Sequence, residues 1–166
     1  MVRLTSGGVG FELPEGWEGE IDPGSGTWRE TPPDGTIKTL PATQPGGAVR
    51  RVVAHVANFP LPAGRGDFGN GAVQQMRSGD VFVALFEYDP ESAAQPLFRH
   101  AGVPEIGAGD FEPAALQQPV LGSSAVQRFF QVSDRAFCLY VVVGSHIDRR
   151  DVVPAIRTVL AGLEIT

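Results

Sequence analysis

A chain of 166 residues, 42% hydrophobic and 19% charged, buries roughly 70% of the surface its unfolded form exposes, so it needs neither metal nor disulfide to fold as one domain over 1–166. Its net charge of −6 excludes the basic stripe that a nucleic acid or an anionic membrane surface requires. The single cysteine, Cys138, excludes an intrachain disulfide, and with no apolar run near the ~20 residues that span a bilayer the chain is expected to be cytoplasmic, without membrane insertion.

Residues 9–21, VGFELPEGWEGEI, set Val9, Phe11 and Leu13 against smaller or polar neighbours, turn at Pro14-Glu15-Gly16 and resume at Trp17, which predicts a hairpin. The stretch 22–48 is dense in Pro, Gly and Thr and predicts a long surface loop, in which Trp28 is the one ring able to pin the loop or meet a partner. RRVVAHVANF (50–59) is β-branched and stops at Pro60 and Pro62, so it predicts a strand. Residues 69–77 predict a short helix with Val73, Met76 and the Arg77 stem inward, ended by Gly79.

VFVALFEY (81–88) is apolar at nearly every position and predicts a strand covered on both faces. Residues 89–122 alternate turn signals with small apolar anchors and predict a long connection with short helical turns. AVQRFFQVSDRAFCLYVVVG (125–144) predicts two antiparallel strands around Ser133-Asp134-Arg135. The tail 148–165 spaces Val152, Ile156, Val159, Leu160 and Leu163 helically, with Asp148 or Asp151 as N-cap; Pro154 belongs in a first turn and so starts the helix near Asp151. The fold class is α+β: five to seven mostly antiparallel strands against a C-terminal helix and one or two short helices.

Gly64-x-Gly66-x-x-Gly69 matches the dinucleotide fingerprint, with a strand before it and Glu87 and Asp89 about twenty residues on. Its context argues otherwise. Pro60-Leu61-Pro62-Ala63 separates the strand from the first glycine, and Gly79 leaves only about eight residues for a crossover helix. With 21 glycines in the chain, roughly 0.3 such matches are expected by chance, so the stretch reads as a glycine-rich turn and no cofactor is expected.

His55, His100 and His146 form no metal-binding spacing, and Cys138 between Phe137 and Leu139 reads as a small buried hydrophobe. Ser123, Ser124 and Ser145 lack the context of an activated nucleophile. Glu87 and Asp89 share one face of a strand end, and His55 shares a face with Val53, Ala57 and Phe59.

FELPEGW (11–17), a later hairpin, and a C-terminal amphipathic segment ending in LEI (163–165) resemble the PsbP-like fold. That superfamily includes photosystem assembly proteins, a nuclear import factor that binds Ran, and secretion-associated chaperones. The resemblance implies an antiparallel sheet flanked by helices, in a protein that binds other proteins. ANFPLPAGRGDFGNGAV, DVFVALFEYDP and RAFCLYVVVGS resemble uncharacterised actinobacterial proteins, and Lys38 as the one lysine suits such a high-GC source.

The expected function is therefore non-enzymatic: a protein-binding or chaperone/assembly module, with Trp28, Arg65, Asp67 and Phe68 as candidate partner contacts. The competing expectation is a small hydrolase or ligand-binding enzyme using His55 with Glu87 or Asp67. It requires those side chains to converge within hydrogen-bond reach.

Overall fold

The computed structural model describes residues 1–24, 27–30, 38–41 and 51–166, the two short stretches as backbone. In chain order the strands are β1 (Val2–Ser6), β2 (Val9–Leu13), β3 (Glu18–Asp22), β4 (Thr27–Glu30), β5 (Lys38–Pro41), β6 (Val53–Ala57), β7 (Val81–Glu87), β8 (Ser124–Val132) and β9 (Arg135–Val143). The helix α1 (Arg149–Ala161) and the strand β10 (Leu163–Ile165) complete the order. Three sheets result: β1-β2-β10, β3-β6-β7-β9-β8, and the ribbon β4-β5. Each pairing of named strands is antiparallel.

Several expectations need correction. Residues 9–21 are not a hairpin: β2 pairs with β1 and β10, and β3 crosses to the other sheet to pair with β6. The two-residue Gly7-Gly8 turn, both φ positive, closes β1 onto β2 instead. The expected helix at 69–77 shrinks to a single 3-10 turn, Val73–Gln75, with Val73 buried and Arg77 exposed. Among the described residues α1 is the one α-helix, and the connection 89–122 contains four 3-10 turns, Pro90–Ala94, Pro96–Phe98, Ala108–Asp110 and Pro113–Ala115.

Within the stretch read as a loop, Asp22 still belongs to β3, β4 and β5 pair as a ribbon, and residues 25–26, 31–37 and 42–48 lie outside the described residues. The helix begins at Arg149, two residues before Asp151, so Pro154 lies past the first turn on the exposed side. Leu163 leaves the helix altogether, and LEI pairs with Val9–Phe11 as β10.

The alternation of the central strands divides the five-stranded sheet into two faces. On the first face Ala54, Val56, Val83, Leu85, Leu139 and Val141 pack against Val9, Phe11 and Leu13 of β2 and Val153, Ile156 and Val159 of α1. On the second face Ala57, Phe82, Ala84, Tyr140 and Val142 lie under two loops, which contribute Phe59, Leu61, Phe68 and Met76 from one side and Leu116 and Val120 from the other. The β8–β9 hairpin turns at Ser133 and Asp134, both with positive φ (53° and 59°), the backbone of a two-residue type I′ turn.

Candidate functional site: the second face of the large sheet

Register aligns the second face into rows that cross all five strands. Glu20, His55, Ala84, Tyr140 and Gln127 form one row, and Asp22, Val53, Phe86, Cys138 and Phe129 the next. Directly opposed residues share a face. Cys138 thus sits fully buried between Phe86 and Phe129, both half-buried.

Two aromatic groups close around this row. Phe68, delivered by the glycine-rich loop, stacks on Phe86 at 4.3 Å and meets Tyr140 edge-on at 5.5 Å. Phe98 meets Phe129 edge-on at 5.6 Å, and Tyr88 lies 5.1 Å from Phe98. Tyr88 keeps 36% of its surface in solvent. Phe68, Phe86 and Phe129 are thus half-buried, the first two packed against the buried cluster of the second face.

Its titratable groups are held neutral. Burial pushes the Cys138 thiol up to about 11, against a weaker opposing effect of the hydrogen bond that Gln127 Nε2 donates to its sulfur at 3.3 Å. Burial likewise raises the Tyr88 phenol to about 12, with Cys138 adding to the shift. Burial raises Tyr140 too, while its oxygen accepts a hydrogen bond from Gln117 N at 3.0 Å. A thiol so protonated at neutral pH is a poor nucleophile.

Beside the row, His55 is nearly buried and bonded through both ring nitrogens. Arg65 Nε donates to Nδ1 at 2.8 Å, and Nε2 lies 2.6 Å from the Asp67 carbonyl oxygen. Since guanidinium only donates, Nδ1 must accept, and the proton sits on Nε2, which donates to Asp67. Arg65 also donates to Pro62 O at 3.0 Å and to Glu20 Oε2 at 2.7 Å, with 8% of its side chain exposed. His55 further tilts against Phe82, ring centroids 5.2 Å apart.

The expected site residues separate accordingly. Phe68 lies on the aromatic surface, whereas Arg65 turns inward to His55 and Glu20, and Asp67 offers His55 its backbone oxygen. The Trp28 side chain lies outside the described residues. Glu87 and His55 project from opposite faces of the sheet, because the partner of His55 on β7 is Ala84 and Glu87 alternates with it.

Glu87 instead meets Arg135 in a two-pronged pair, Nε to Oε1 at 2.7 Å and Nη2 to Oε2 at 2.9 Å. The other Arg135 donors reach the backbone oxygens of Gly7, Gly8 and Thr166, so all five N–H bonds are used in joining the two sheets. The residues missed by sequence reasoning are Phe86, Tyr88, Phe98, Phe129 and Gln127. For Phe86, Phe129 and Gln127 the signal is same-face alternation on strands that become neighbours only through the register, whereas Phe98 lies in a 3-10 turn and Tyr88 just past the end of β7.

The glycine-rich loop also has its geometry explained. Gly69, at φ +79°, approaches the Phe82 ring so closely that a Cβ there would lie 2.5 Å from it. The amides of Gly66, Gly69 and Ala72 donate to Asn70, Gly66 and Gly69 oxygens within the loop itself. Amides committed inside a turn cannot also cradle a phosphate. No group of three or more His, Cys, Asp or Glu side chains able to hold a metal occurs among the described residues, and no described helix is long and apolar enough to cross a membrane.

The chain is thus an α+β protein with antiparallel sheets and, among the described residues, one α-helix near the C-terminus. Comparison with protein-family models, with curated proteins and with solved structures finds no match.

Proposed function

We propose that the protein is a non-enzymatic binding or assembly module that engages a protein partner in the cytoplasm through the aromatic row of the large sheet. The observation that carries this reading is the half-exposed series Phe68, Phe86, Phe129 and Tyr88, seated on the rigid β7–β9–β8 part of the sheet. Half-buried aromatics bury more area on contact at little cost in side-chain freedom, which is why they concentrate binding energy. The committed state of His55, Glu87 and Cys138 supports the same reading, since each is tied into structure.

A PsbP-like relationship belongs to this proposal. The two segments that carry it, FELPEGW and LEI, are hydrogen-bonded neighbours, Leu163 opposite Phe11. The enzyme alternative needs His55 to act with Glu87 or Asp67; the first lies across the sheet, and the second meets His55 through its carbonyl oxygen.

The test is affinity enrichment from the native cell with the double variant Phe129→Ala, Phe68→Ala beside the unmodified chain. One partner should be enriched by the unmodified chain and reduced about tenfold or more by a folded double variant, the loss expected when two aromatic anchors are truncated. Enrichment unaffected by the double variant would refute the assignment.

A further inference from the structure

We infer that His55 and Arg65 form a proton-sensitive lock on the loop from Pro60 to Gly71, holding Phe68 down on the sheet at neutral pH and releasing it when His55 takes up a second proton. The inference concerns the loop itself and holds whether or not the aromatic face binds a partner. Arg65 makes three contacts that close the loop: to His55 Nδ1 at 2.8 Å, to Pro62 O at 3.0 Å and to Glu20 Oε2 at 2.7 Å. The first of these exists only while Nδ1 carries a lone pair.

Protonation would set a ring N–H against the guanidinium N–H at that distance and bring two positive charges together in a nearly buried place. The bond from Nε2 to the Asp67 carbonyl survives protonation, so Arg65 is the group that must leave. Its departure also frees Pro62 O and Glu20.

Among the described residues Arg65 of the loop bonds the ring, Glu20 of β3 lies opposite it in the strand register, Asp67 meets it through its backbone oxygen, and Glu18 of β3 accepts from Leu61 N at 2.6 Å at the start of the loop. From β7 the ring meets Phe82 and Ala84, which carry no charge. Glu20 favours the added proton. Arg65, in direct contact, opposes it for as long as the loop stays closed. Proton uptake and loop opening are therefore one event.

The experiment is amide hydrogen exchange followed by NMR at pH 7.5 and 5.0, corrected for the intrinsic pH dependence of exchange, with the His55 ring resonances recorded in parallel. Gly66, Gly69 and Ala72 should lose protection several-fold at the lower pH, up to the roughly tenfold that one pKa unit between closed and open loop gives at most. Val83 of β7 and Val141 of β9 should keep theirs. His55→Gln, whose amide both accepts and donates without titrating, should abolish the response; so should Arg65→Gln, which removes the cation even if the histidine variant fails to fold.

Constant loop protection across the two pH values would overturn the inference. So would parallel loss in β7 and β9, which would mark overall acid unfolding, or a wild-type response that persists in either variant.

Discussion

At the scale of single residues, most of the side chains that suggest chemistry are consumed by structure. Arg135 spends its five donors on Glu87 and three backbone oxygens, and its guanidinium lies 5.3 Å from the Phe137 ring centroid. Cys138 is the residue whose pH behaviour follows most directly. Its thiol moves from an ordinary value of 9.0 up to about 11 through burial. Below pH 9 the thiol is neutral in both folded and unfolded chains, and its contribution to stability is complete. Between 9 and about 11 the unfolded chain releases the proton that the folded chain keeps, so stability falls as pH rises. Denaturant unfolding at pH 7 and pH 10 should show the unmodified chain losing about 1 kcal/mol more than Cys138→Ala over that interval. Equal losses would mean the thiol titrates normally.

At the scale of elements, strands and turns with strong local signals were legible and those defined by distant partners were not. VFVALFEY reads as a strand covered on both faces because its apolar side chains occupy both parities, and β7 is that strand. The SDR turn between two apolar runs reads as a hairpin, and β8 and β9 pair in that register. Trp17 and its neighbours looked like the return arm of a hairpin, but β3 finds its partner in Val53–Ala57, more than thirty residues on, and no local pattern announces that crossing. LEI carried a helical period that ended at Gly162, whose missing Cβ lets the chain pass Glu12 and enter β10; a Cβ would lie 2.8 Å from Glu12 O. The glycine loop belongs at this scale as well, since its spacing serves packing on Phe82. Gly69→Ala should therefore cost about 2 kcal/mol or more, from positive φ and overlap with a buried ring, whereas Gly64→Ala, facing open space, should cost under about 0.5 kcal/mol. Thermal or denaturant unfolding of the two variants checks this, and equal costs would contradict it.

At the scale of the whole molecule, antiparallel pairing throughout the named strands places the first face of the large sheet in the core and leaves the second to loops. This division explains why the aromatic row was only partly readable. Phe68 was visible as an aromatic in a loop, but Phe86, Cys138 and Phe129 come from three strands that align only through the register of β7, β9 and β8. It also explains why His55 and Glu87 do not meet, since neighbouring strands carry them on opposite parities. On the proposed function, a net charge of −6 spread over such a fold leaves shape and aromatic area, rather than a charged track, to select a partner. The most direct test of that central claim is site-specific photo-crosslinking in the native cell, with a photoreactive phenylalanine analogue placed at Phe129 or, for comparison, at Val2, an exposed residue on β1 of the smaller sheet. An adduct with one protein is expected from position 129 and none from position 2; adducts from position 2 alone, or none from position 129, would refute the proposed surface.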